Sequence, residues 1–128
     1  LGQGAYYKAE YGGIKIELFH TNHIPGEAET PMDAFITYGL FVDDTVFISG
    51  DTKFDLELIE RYQDKASIMF HDASLNRNAV HASFEELRTL RKETKEKMYL
   101  VHYQDNTTDP DADGFAGLGR QNTRYIFG

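Results

Sequence analysis

The sequence predicts an α/β fold with at least partly parallel strand pairing. Between Val46 and Val101, apolar runs alternate with amphipathic stretches in the order strand, helix, strand, helix, strand. Each of the three runs also ends in a polar, metal-competent side chain. Thr45 to Ser49 leads through Gly50 into Asp51, Ala66 to Phe70 leads into His71 and Asp72, and Lys97 to Val101 leads into His102. A core needs the apolar runs but not an acid or imidazole after each. Open α/β sheets bind ligands beyond the carboxyl ends of their strands.

Taken in order, Ala5 to Tyr11 and Ile14 to Phe19 read as strands paired around Gly12-Gly13, the second alternating Ile14, Ile16 and Leu18 with Lys15 and Glu17. His20 to Asp33 contains Pro25, Gly26 and Pro31 and reads as a loop. Phe35 to Val42 and Val46 to Ser49 form an expected hairpin around Asp43-Asp44. A helix is expected from about Phe54 to Gln63, with Thr52 as its cap and Leu56, Ile59 and Tyr62 on one face. Ser83-Phe84-Glu85-Glu86 is a capping box that opens a second helix to about Glu96, burying Phe84, Leu87 and Leu90 and supported by a Glu93–Lys97 pair. Gln104 to Gly119 is a Gly- and Asp-rich loop, and Thr123 to Phe127 is expected to be a final strand.

Composition narrows the function classes. The chain has 128 residues, 41% hydrophobic and 27% charged, enough for one domain with a real core. No apolar run approaches the roughly 18 residues of a membrane span, and no secretory leader opens the chain. Zero cysteines exclude disulfides and thiolate metal sites, so any metal must sit on imidazole and carboxylate. Both features suit a cytoplasmic setting. The net charge of −8 argues against a broad nucleic-acid surface. The chain begins at Leu1, not Met, and reads as a piece of something longer.

A single loop histidine is most often a solvated side chain. Jointly, Asp51, His102 and one loop histidine have the donor types of a 2-His-1-carboxylate set. Asp109 to Gly114 copies the start of an EF-hand loop, but Arg120 stands where a bidentate Glu is needed.

Four motifs in order then resemble a family. Ser49-Gly50-Asp51-Thr52, His71-Asp72-Ala73-Ser74, Ala79-Val80-His81-Ala82-Ser83 and Leu100-Val101-His102-Tyr103 resemble the second half of the metallo-β-lactamase fold. Within it they are most similar to the ribonuclease Z and phosphodiesterase branch. The resemblance implies half of an αββα sandwich, a mixed sheet with helices on one face. It implies that residues 1–128 are the carboxyl-terminal half of one domain. The amino-terminal half, with its His-x-His-x-Asp-His signature, is absent from this sequence.

Carried over, the resemblance makes Asp51 a carboxylate bridging two divalent ions, zinc ahead of manganese. His102 and His23 become further metal ligands, with His20 the rival of His23. His81 becomes the acid that protonates the leaving group, and His71 and Asp72 support the ligands from behind. The implied activity is metal-dependent hydrolysis of a small phosphodiester such as a cyclic nucleotide. The implied partners are that substrate and the missing half of the domain, with room for a homodimer and no membrane. By itself the chain would then be inactive. The rivals are a non-catalytic binding or assembly domain, which the missing upstream ligands would also fit, and a hydrolase of thioesters, lactones or lactams, against which His81 argues.

Overall fold

Tight turns build the first part of the sheet. The computed structural model describes residues 6–21, 37–77 and 80–127. Strands β1 (Tyr6–Tyr11) and β2 (Ile14–His20) join at Gly12 and Gly13, whose φ values of 57° and 83° suit the turn that matches strand twist. Strands β3 (Tyr38–Val42) and β4 (Val46–Ile48) join through Asp43 and Asp44, also at positive φ. Asp43 Oδ1 accepts from Lys15 N at 2.8 Å, which ties this turn to β2.

Helices carry the chain through the rest. Helix α1 (Leu56–Tyr62) leads to β5 (Ile68–Asp72). Two single-turn helices, α2 (Phe84–Leu87) and α3 (Lys92–Lys95), lead to β6 (Met98–Val101). A 3-10 turn at Asp109–Ala112 precedes the short β7 (Gly117–Leu118). The seven strands lie in sequence order, antiparallel from β1 to β4 and parallel from β4 to β7.

One face of this sheet is the core. Phe19, Phe41, Phe47, Met69, Met98 and Leu100 lie buried beneath Ile59 and Tyr62 of α1 and Phe84 and Leu87 of α2. Tyr62 is the centre of this packing, its ring 4.9 Å from Phe19, 4.9 Å from Phe41 and 5.5 Å from Phe47. Gly39 leaves room for Phe19, since a Cβ there would sit 2.3 Å from the ring. On the other face Ile16, Leu18, Leu40, Val42, Val46, Ile48, Phe70 and Val101 are only partly buried.

Several expectations are corrected. The described residues form one seven-stranded mixed sheet with three short helices, not half of an αββα sandwich. Each strand pairs with its sequence neighbour, so among the described residues the chain never leaves this sheet to start another. The first helix is capped by Asp55, whose Oδ1 accepts from Leu58 N at 3.2 Å, and not by Thr52. Leu56 is 47% exposed, so the buried stripe is Leu58, Ile59 and Tyr62.

The second helix breaks between Arg88 and Arg91. Its latter piece docks through buried Thr94, whose Oγ1 donates to Gln63 Oε1 at 2.7 Å. Lys97 does not pair with Glu93. Its Nζ caps the carbonyls of Gln63 and Ala66 at the end of α1, a favourable place for a cation. The last strand is Gly117–Leu118, while 123–127 pairs with no strand; there Tyr125 packs against Phe70 and Tyr99. No helix among the described residues is long and apolar enough to cross a membrane.

Candidate functional site

Three strands that run the same way end at the same edge, and the site lies there. Strand β4 stops at Gly50, whose φ of 62° few other residues adopt and whose Cβ would lie 2.4 Å from the Tyr38 carbonyl oxygen. The turn sends Asp51 into solvent, its side chain 48% exposed. Thr21 Oγ1 donates to the Asp51 carbonyl at 3.0 Å, fixing the turn to the end of β2.

Strand β5 ends on Asp72, whose side chain is 1% exposed. A buried carboxylate needs partners, and Asp72 has them on both oxygens. Its Oδ2 accepts from Thr52 N at 3.0 Å and lies 2.6 Å from His81 Nδ1. Its Oδ1 lies 3.2 Å from His102 Nδ1. The Asp72 amide donates to Ser49 Oγ at 2.8 Å, so β4 also sets its backbone.

His102 follows β6 at a φ of 60°, a left-handed turn that swings its ring back over the strand ends. Its Nδ1 lies 3.3 Å from Asp51 Oδ1 as well, so both carboxylates converge on one nitrogen. His81 arrives from the loop before α2. That loop is pinned by Ala82 N donating to Thr52 O at 2.9 Å and Ser74 N to Ala82 O at 2.7 Å. The capping box follows at once, Ser83 Oγ accepting from Glu86 N at 3.1 Å. The His81 and His102 rings meet edge to face at 4.8 Å.

Asp51, Asp72, His81 and His102 thus form one group, each offering a ligand atom within 4.8 Å of the others. The set of oxygen and imidazole donors without thiolate suits zinc or manganese. Around a tetrahedral zinc, neighbouring donor atoms sit about 3.3–3.5 Å apart. His102 Nδ1 lies 3.3 Å from Asp51 and 3.2 Å from Asp72, the latter a hydrogen bond here, and both spacings are also those of two such edges. The 2.6 Å between His81 and Asp72 is a hydrogen bond and too short for two donors of one ion.

The other histidines of the sequence reading fall elsewhere. His71 is buried on the opposite side of β5 from Asp72, near Phe47, and its Nδ1 donates to the Asp72 carbonyl at 2.7 Å. Burial pushes its imidazole pKa down, partly offset by that bond, so the ring is neutral. His20 ends β2 on the same edge but outside the group, its ring 5.8 Å from Tyr38. His23 lies outside the described residues. The groups that sequence reasoning missed are the Ser49 hydroxyl and the Thr52 backbone. Both meet Asp72 from a strand about twenty residues away, which no local signal announces.

Comparison with known proteins places the chain. The family model described as Anti-Pycsar protein Apyc1 matches residues 2–125. An Anti-Pycsar protein Apyc1 of Paenibacillus harenae is 35% identical over 97 residues, covering 74% of this chain and 37% of that protein. One from Paenibacillus sp. (strain J14) is 32% identical, covering 81% of this chain and 38% of that protein. One from Bacillus phage 010DV004 is 41% identical, covering 75% and 36%. The chain thus spans well under half the length of these relatives.

These matches correct two expectations. The matching family is that of Apyc1, in place of the ribonuclease Z and phosphodiesterase branch of the metallo-β-lactamase fold named from the motifs. The expectation of a metallo-β-lactamase amino-terminal half as the chain's partner is corrected with it, since the model that matches residues 2–125 is that of the Apyc1 family. The chain belongs to the Anti-Pycsar protein Apyc1 family.

Proposed function

We propose that the chain carries the ligand and proton-donor groups of a metal-dependent hydrolase of small phosphodiesters, a cyclic nucleotide being the type of substrate. The observation that carries this reading is the division of labour on Asp72. One oxygen meets His102 Nδ1 at 3.2 Å, long enough for an ion to take the place of that hydrogen bond, and the other holds His81 Nδ1 at 2.6 Å. Asp51, Asp72 and His102 would hold the first of two divalent ions, zinc or manganese. Asp51, being half exposed, has an oxygen to extend toward the second, and His23 would be a ligand beyond the described residues. Bound there, the ions supply Lewis acidity toward a phosphoryl oxygen and lower the pKa of a nearby water.

The chain's own residues do the rest. Asp72 orients the His81 ring through Nδ1, and the capped helix start holds its backbone. In a hydrolytic step, His81 gives a proton to the departing alkoxide. Because its relatives are named Anti-Pycsar proteins, the same role is proposed for the whole protein.

The test separates ligand from acid. Asp51→Ala should abolish bound zinc by elemental analysis and turnover of a cyclic nucleotide with it. His81→Ala should keep zinc and slow that turnover by roughly 10²–10⁴-fold, the usual range for one general acid. A substrate expelling nitrophenolate, which leaves without a proton, should be slowed far less. Loss of zinc from His81→Ala, or equal slowing of both substrates, would remove the acid from the reading. Zinc retained by Asp51→Ala would remove the metal centre.

A further inference from the structure

Two threonines at the end of the antiparallel region reach the metal site from the far side of Asp51. Strand β2 reverses β3 and β3 reverses β4, so β2 runs the same way as β4 and ends on the same edge. Its ladder with β3 continues one step beyond the His20–Tyr38 pair, where Thr21 N donates to Thr37 O at 3.0 Å. The two hydroxyl oxygens lie 2.5 Å apart, and Thr21 is 2% exposed. Thr21 Oγ1 gives its single proton to the Asp51 carbonyl at 3.0 Å. The proton between the two hydroxyls is therefore that of Thr37, and the bonds run one way, from Thr37 to Thr21 to Asp51.

The peptide unit between Asp51 and Thr52 is thus held at both ends. Thr21 donates to its carbonyl oxygen, and its N–H, the Thr52 amide, donates to Asp72 Oδ2 at 3.0 Å. A peptide unit is planar, so two bonds on its opposite sides fix its tilt. That tilt sets ψ of Asp51, and with it the direction in which the side chain leaves the backbone. Little else restrains it. Gly50 before it is the most permissive residue, and the Asp51 side chain is half exposed. Among the described residues, no other hydrogen bond reaches the Asp51 main chain.

We propose that Thr21 is a positioning residue of the metal centre. Its hydroxyl, oriented by Thr37, holds Asp51 in the direction that brings its carboxylate to His102 Nδ1. This role rests on the reading of Asp51 as a metal ligand. It makes the end of β2 part of the site, although Thr21 touches neither His102 nor Asp72 through its side chain.

Thr21→Val keeps the β-branched shape and removes the hydroxyl. It should weaken zinc binding about 10–100-fold in competition with a chelator, the range for groups that orient metal ligands. With cobalt(II) in place of zinc, its visible absorption should differ from that of the native protein, because the Asp51 oxygen is displaced. Thr21→Ser keeps a hydroxyl and should return both readouts to native values. Thr94→Val is the control for a loss of stability alone. It also removes a buried threonine hydroxyl, one that donates to Gln63, and should leave zinc affinity and the cobalt spectrum unchanged. Native affinity and spectrum in Thr21→Val, equal losses in Thr21→Val and Thr94→Val, or no recovery in Thr21→Ser would each overturn the role. Asp51→Ala tells that failure apart from failure of the metal reading. If Asp51→Ala loses zinc while Thr21→Val binds it as the native protein does, the positioning role alone falls. If Asp51→Ala keeps zinc, the role falls together with the metal centre.

Discussion

The antiparallel and parallel parts of the sheet follow the same alternating pattern and do different work. In β1 to β4 each strand reverses the last, so successive strand ends fall on opposite edges and tight turns hold neighbours together. In β4 to β6 the strands share a direction, and their carboxyl ends share an edge. From Asp51 to Asp72 and from Asp72 to His102 the chain runs about twenty and thirty residues, yet the three meet because three parallel strands end together. The comparison shows why polar residues after apolar runs signal function only where crossovers make the runs parallel. Asp43 and Asp44 also follow an apolar strand, but they terminate a hairpin and bind Lys15 of β2.

Replacing Tyr62 should produce the largest effect, because its ring covers strands of the antiparallel part from a helix that leads into the parallel part. Tyr62→Ala should cost about 3–5 kcal/mol in denaturant unfolding, the range for large aromatic deletions. If the two parts share one core, the transition should stay single and shift as a whole. Two separated transitions would mean that the halves stand independently.

Gly50→Ala is next. It places a Cβ against the Tyr38 carbonyl at a positive φ, and should cost about 1–3 kcal/mol. Because Gly50 joins the two regions, it should also lower zinc affinity, whereas a substitution in the Asp43-Asp44 turn should not. Equal zinc affinity in native and Gly50→Ala protein would disconnect the turn from the site.

The smallest shift belongs to Ser83→Ala, which removes the cap of α2 and should cost about 1 kcal/mol. Its interest lies in selectivity. His81 stands just before this cap, so turnover should fall more than zinc binding does. A parallel fall in both would place the effect on the fold alone.

Local signals were legible in the sequence because they are settled within a few residues. The apolar runs now seen as β4, β5 and β6, the Gly12-Gly13 turn and the Ser83–Glu86 box all depend on near neighbours, and all stand where the pattern put them. The meeting of Asp51, Asp72, His81 and His102 at one edge is not such a local signal, because it requires β4, β5 and β6 to run parallel. The features decided by tertiary structure depend on partners far along the chain. Thr52 is drawn away from the helix instead, its amide donating to Asp72, twenty residues on, and its hydroxyl to Lys53 O, and Asp55 takes the cap. Lys97 leaves Glu93 for carbonyls more than thirty residues earlier. Asp72 stands at the centre of the site because β5 lies between β4 and β6, beside both Thr52 and His102. A buried carboxylate takes whichever donors the fold brings to it, and only the assembled sheet determines which those are.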